Sequence, residues 1–143
     1  MDIKIKKLHS SAQEPTYGTD GAACFDLYSV ADTVVHARDS TAIRTGLVFE
    51  IPEGYVMRIY SRSGHAFKRD VRLSNCVGVI DSDFRGEVVV KLANDNNDVA
   101  LHVKAGDRIA QAEITPVIRV GFKEAEELSY TKRGDSGFGS TGN

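Results

Sequence analysis

The sequence predicts an all-β fold, a barrel or sandwich of many short strands, and three observations carry that prediction. Apolar and polar residues alternate over short runs, as in Asp2 to Leu8 and Tyr55 to Ser61. Turn-forming residues recur between the runs, as in Pro52-Glu53-Gly54 and Ala105-Gly106-Asp107. No long stretch keeps a helical period. At 143 residues the chain suits one domain around one core.

Taken in order, Asp2 to Leu8 alternates, with Lys4, Lys6 and Lys7 on the wet face of an edge strand. Gly21 to Tyr28 begins with small residues and runs into a strand. Thr33 to Ala37 and Thr41 to Phe49 follow, with Gly46 predicting a bulge. Pro52 to Gly54 turns the chain into the alternating run Tyr55 to Ser61. One short helix fits Gly64 to Arg69. Val71 to Leu73, Val77 to Ile80, Glu87 to Leu92, Val99 to Val103 and Arg108 to Val117 complete the strands. The runs before and after Asp81-Ser82-Asp83 predict a β-hairpin with those residues at its tip. Asn94 to Asp98 is a turn built from residues that tolerate left-handed backbone. Residues 131–143 are rich in glycine and poor in core-forming side chains. They predict a flexible arm on a core of residues 1–130.

Composition excludes several functions. Net charge is −2 and the basic residues are scattered, so no nucleic-acid partner is expected. No apolar run reaches the length of a membrane span. The first residues lack the apolar centre of a signal peptide, so a cytoplasmic address is expected. Cys24 and Cys76 form no Cys-x-x-Cys pair and read as buried free thiols. The four histidines show no metal-ligand spacing.

Chemistry concentrates in four places. Ser61-Arg62-Ser63-Gly64 sits where a strand passes into the short helix. Arg62 offers a guanidinium fork for phosphate oxygens, Ser63 a hydroxyl, and Gly64 room for close approach. The same residues also fit an ordinary turn with Ser63 as N-cap. Asp81 could orient and deprotonate a water, or simply bond its own backbone as a turn residue. Phe84 offers a flat face for a sugar or base, or a core side chain. Gln111 is polar inside an apolar strand, facing either a phosphate or solvent. The arm spaces Arg133, Phe138, Ser140 and Thr141 among glycines whose N–H groups can wrap phosphates.

These pieces occur together and in order, and the chain resembles the homotrimeric deoxyuridine triphosphatases (dUTPases). Gly21-Ala-Ala-Cys-Phe-Asp26-Leu-Tyr28 resembles the first family motif and Arg62-Ser63-Gly64 the second. Asn75-Cys-Val-Gly-Val-Ile-Asp81-Ser-Asp-Phe84-Arg-Gly86 resembles the third. Gly106-Asp-Arg108-Ile-Ala-Gln111 and Arg133-Gly-Asp-Ser-Gly-Phe138-Gly-Ser140-Thr141-Gly resemble the fourth and fifth. The resemblance spans nearly the whole chain.

It implies a jelly-roll trimer whose active sites are shared between subunits, and hydrolysis of dUTP to dUMP and pyrophosphate. By resemblance, Asp81 bonds the sugar 3′-hydroxyl and activates the water that attacks the α-phosphorus. Asn75, Gly78 and Ile80 line the uracil slot, and Phe84 packs under deoxyribose. Arg62, Ser63, Gly64 and Gln111 hold phosphates. Asp26 supports the Mg2+ shell through water, the ion resting mainly on the triphosphate. The arm closes with Phe138 over uracil and Arg133, Ser140 and Thr141 on the phosphates. Two residues depart from the family pattern: Phe84 replaces the usual Tyr, and Ser61 replaces a Pro, which is expected to loosen the turn. A related deaminase on the same fold would need a Glu as acid–base, for which Glu87 is the nearby candidate. A nucleotide-sensing protein without turnover is the remaining alternative.

Overall fold

A computed structural model describes residues 1–137 of the chain. Strands dominate it, in four antiparallel sheets around one core, with a single short helix. No helix among the described residues is long and apolar enough to cross a membrane.

The largest sheet has five strands in the order β2 (Thr16–Tyr17), β3 (Phe25–Tyr28), β12 (Arg108–Pro116), β7 (Tyr55–Tyr60) and β9 (Val77–Ile80). A three-stranded sheet runs β5 (Ser40–Arg44), β10 (Val89–Asn94) and β8 (Val71–Leu73). Two pairs complete the fold: β1 (Lys4–Lys7) with β6 (Leu47–Glu50), and β4 (Thr33–Val35) with β11 (Leu101–Val103). Residue alternation explains which face each strand buries. In β8, Val71 and Leu73 are buried while Arg72 is exposed. In β10, Val90 and Leu92 are buried and Val89 and Lys91 exposed. The buried side chains, among them Leu27, Val35, Ile43, Leu47, Met57, Leu92 and Ile109, form one cluster to which all four sheets contribute.

Gly46 does more than bulge a strand. It takes φ +69° and divides the predicted run into β5 and β6, and a Cβ there would lie 2.8 Å from Ala12. Buried Thr45 secures the same corner: its hydroxyl donates to the Val88 carbonyl at 2.7 Å and accepts from Leu47 N–H at 3.2 Å. Among the described residues the left-handed non-glycine positions are Arg38, Asp70 and Cys76, so the turn after Asn94, whose residues tolerate such backbone, does not use it. That turn is built instead from Asn side chains: Asn94 Oδ1 accepts from Asn96 N–H, and Asn96 Oδ1 accepts from the N–H groups of Asp98 and Val99.

The predicted hairpin is the main correction. β9 does not pair with β10; it pairs with β7, while β10 lies between β5 and β8. The chain leaves β9 at Asp81, and Glu87 and Val88 are held elsewhere. Glu87 accepts from Gly46 N–H at 2.8 Å, and Val88 N–H donates to the Leu47 carbonyl at 2.9 Å. Those bonds, with Val88 fully buried, draw the returning strand onto the other sheet.

The last strand ends at Pro116, and residues 117–136 are exposed without a strand. A turn near the end joins Arg133 Nε to the Ser136 carbonyl at 2.9 Å. The predicted arm residues Phe138, Ser140 and Thr141 lie outside the described residues.

Candidate active site

β7 separates two clefts. Its C-terminal end leads through Ser61 into helix α1 (Ser63–Arg69), the helix predicted at Gly64 to Arg69. Here a polar cleft of about 350 Å³ is lined by Asp26, Arg62, Ser63, Gly64, Arg108 and Gln111. Asp26 is its hub. Although only 8% exposed, it carries a carboxylate, and each oxygen has a guanidinium partner. Arg62 Nε donates to Oδ1 at 3.1 Å and Arg108 Nη1 to Oδ2 at 3.2 Å. The paired charges make the burial tolerable and aim two arginines at one opening. His65 adds a contact from the helix, its Nε2 lying 2.9 Å from the Arg108 carbonyl.

Ser63 does not cap the helix. The N-cap position is Arg62, which makes no side-chain cap bond, and Ser63 and Gly64 stand exposed in the first turn. Ser61, where the family pattern has Pro, is tied down by two bonds. Its hydroxyl accepts from Leu73 N–H at 2.8 Å, and its carbonyl accepts from Gln111 Nε2 at 3.0 Å. β8 is the edge strand of its sheet, so Ser61 satisfies an outward N–H that β10 cannot reach. Gln111 is half-buried at the cleft, neither fully in solvent nor in the core.

Cys24 lines the same cleft. Burial, with the nearby carboxylates of Glu113 and Asp26, pushes its thiol above the ordinary range. Cys24 is half-buried and Cys76 exposed, so the reading of both as buried thiols fails. Cys76 falls at φ 63° in the turn between β8 and β9, away from any core-facing strand position.

The second cleft, about 290 Å³, lies where β9 and β10 part. Its walls include Leu73, Asn75, Gly78, Ile80, Val89 and Lys91. Gly78 is buried directly opposite Ile59, and a Cβ there would sit 3.1 Å from that side chain. At Gly78, then, the wall presents bare backbone, because a side chain there would press on Ile59. Asp81 follows the last residue of β9 and is exposed; Phe84 N–H donates to the Asp81 carbonyl at 3.2 Å, closing the turn. Phe84 is 43% exposed, so it is no core side chain.

The two clefts share no lining residue. One chain therefore brings Asp26, Arg62, Ser63, Gly64 and Gln111 together on one flank of β7, and Asn75, Gly78 and Ile80 on the other. Glu87 is committed to structure. One carboxylate oxygen bonds Gly46 N–H and the other Arg44 Nε at 2.9 Å, which leaves little of it for acid–base chemistry.

Comparison with known proteins decides the family. A dUTPase family model matches residues 10–142. The chain belongs to the dUTPase family. A deoxyuridine 5'-triphosphate nucleotidohydrolase of Nautilia profundicola is 49% identical across 99% of both chains. One of Helicobacter hepaticus is 48% identical across 99% of this chain and 89% of its own. In structure, the chain is similar to the dUTPase of Staphylococcus bacteriophage 80alpha with dUPNHPP, at TM-score 0.92 and 27% identity over 99% of both chains. The fold is thus the jelly-roll-like fold of dUTPases, as predicted.

Arg108 is the cleft residue that the sequence did not single out, and His65 braces its carbonyl from the helix. Arg108 lay within the fourth family motif, and only its pairing with Asp26 across the sheet reveals its place.

Proposed function

We propose that the chain hydrolyses dUTP to dUMP and pyrophosphate, using Asp81 to activate a water for attack on the α-phosphorus. The observation that carries this reading is the pairing of Arg62 and Arg108 on Asp26 in an open cleft, in a chain of this family. A triphosphate brings about four negative charges, and two fixed guanidinium groups answer part of that charge without rearranging. Ser63, Gly64 and Gln111 line the same cleft and complete the phosphate contacts.

Asn75, Gly78 and Ile80 take the uracil. The bare backbone at Gly78 suits a flat ring whose edge bonds main-chain groups, and in this reading the slot rejects the extra methyl of thymine. Phe84 lies under the deoxyribose, and Asp81 bonds the sugar 3′-hydroxyl. The bond from the α-phosphorus to the bridging oxygen breaks, and pyrophosphate leaves.

Among the described residues no three His, Cys, Asp or Glu side chains converge as a metal cage. An Mg2+ would be carried mainly by the triphosphate, with Asp26 supporting its shell through water. Both Asp26 oxygens already accept from arginines, yet each keeps a lone pair for a water. The ion, when bound, neutralises phosphate charge and favours departure of pyrophosphate.

The active unit in this reading is a homotrimer with shared sites. Two separate half-clefts on one chain suit completion by another copy. Exposed apolar residues after the last strand point the same way: Ile118 is 87% and Phe122 97% exposed, alternating with Val120 at strand spacing. Residues 131–143 act as an arm on the 1–130 core, bringing Arg133, Phe138, Ser140 and Thr141 over the bound nucleotide and excluding water. The enzyme works in the cytoplasm on a small-molecule substrate.

Asp81→Asn tests the central role. The variant should bind a non-hydrolysable dUTP analogue about as well as the parent and lose about two or more decades of kcat. Near-normal turnover would remove Asp81 from the chemistry.

A further inference from the structure

We propose that Gly86 is a specificity-determining positioning residue: its bare Cα is the shelf that holds the Phe84 ring where it excludes a ribose 2′-hydroxyl. The proposal rests on the reading of Phe84 as the sugar-facing ring.

The geometry is specific. A Cβ at Gly86 would lie 2.4 Å from Phe84 Cζ, 2.9 Å from Cε2 and 3.2 Å from Cε1. The ring is therefore folded back over residue 86 with no room for a methyl between them. Gly86 does not lie in the left-handed region, unlike Gly46, Gly54 and Gly106. Backbone conformation thus gives no reason for glycine here; the ring does.

An added Cβ would move the ring rather than the backbone. Upstream, Arg85 Nη1 donates to the Ser82 carbonyl at 2.7 Å and the Phe84 carbonyl at 2.9 Å. Downstream, Glu87 holds Gly46 N–H, and Val88 N–H holds the Leu47 carbonyl. The main chain is pinned on both sides, whereas Phe84 is 43% exposed and can swing outward. A ring displaced from its shelf opens the space that a 2′-hydroxyl needs. Phenylalanine has no phenol oxygen with which to find a second anchor, so in this chain the shelf matters more than it would for a tyrosine.

The test measures kcat/KM for dUTP and for UTP, by pyrophosphate release, in the parent, Gly86→Ala, Phe84→Ala and the double variant. Gly86→Ala should lower the preference for dUTP over UTP by about tenfold or more. Phe84→Ala should lower it too, and the double variant should fall no further than Phe84→Ala, because both changes remove one contact. A parent-like preference in Gly86→Ala beside a lowered one in Phe84→Ala would overturn the proposal. So would additive losses in the double variant. A parent-like preference in Phe84→Ala would instead overturn the sugar-facing reading on which the proposal rests. If Gly86→Ala folds poorly, the double variant should melt higher than Gly86→Ala, since the clash has been removed; failure of that rescue would also overturn it.

Discussion

Asp26 keeps a carboxylate almost out of water because two arginines meet it there, one on each oxygen. Removing it should do harm in two ways. Asp26→Ala leaves Arg62, itself largely covered, without its anion, and frees Arg108 to turn into solvent. A fully buried pair broken this way costs about 3–5 kcal/mol, and exposure of Arg108 argues for a smaller loss of about 1–3 kcal/mol. KM for dUTP should rise in parallel, because the cleft then has no fixed guanidinium pair. Denaturant unfolding and steady-state kinetics would check both, and an unchanged denaturation midpoint would contradict the hub role. At this scale the sequence was legible wherever a polar residue interrupts an apolar pattern. Gln111 inside its strand and Arg62 at a strand end both stood out, and both line the cleft. The partnership of Asp26 with Arg108 did not, because it joins residues far apart in the chain that only the register of β3 against β12 brings together.

Strands β8, β9 and β10 show what one turn can decide. Each was placed closely from its alternating pattern, yet the hairpin drawn between β9 and β10 does not exist. Pattern reports which face of a strand is buried but not which neighbour it pairs with. Here the choice rests on Glu87 and Val88, whose bonds to the Thr45–Leu47 corner were invisible in the local sequence. The consequence is a cleft: its walls come from both strands where they part. Ser61 links this region to the other cleft by bonding the Leu73 N–H. Ser61→Ala should orphan that buried donor and cost about 1–3 kcal/mol, and Ser61→Thr should largely restore it. The midpoint of thermal unfolding should fall by about 2–4 °C or more in the alanine variant; an unchanged midpoint would mean that the tether is idle.

Across the described residues, the fold class followed from short alternating runs and recurrent turns, and a single core whose buried members run from Ala12 to Ala112 agrees with it. The site was less legible, for a physical reason. The two clefts lie on opposite flanks of β7, and nothing in a linear pattern places their residues in space. The family motifs marked the residues, and the separation of the clefts is what a shared site would need. Together these clefts should turn over dUTP. The measurement to make is pyrophosphate release with Mg2+, compared across dUTP, dTTP, dCTP and UTP. Turnover of dUTP is expected, with the other three strongly disfavoured: dTTP by its methyl, dCTP by its base edge and UTP by the ring of Phe84. Release from none of them would contradict it and leave a nucleotide-binding protein without catalysis.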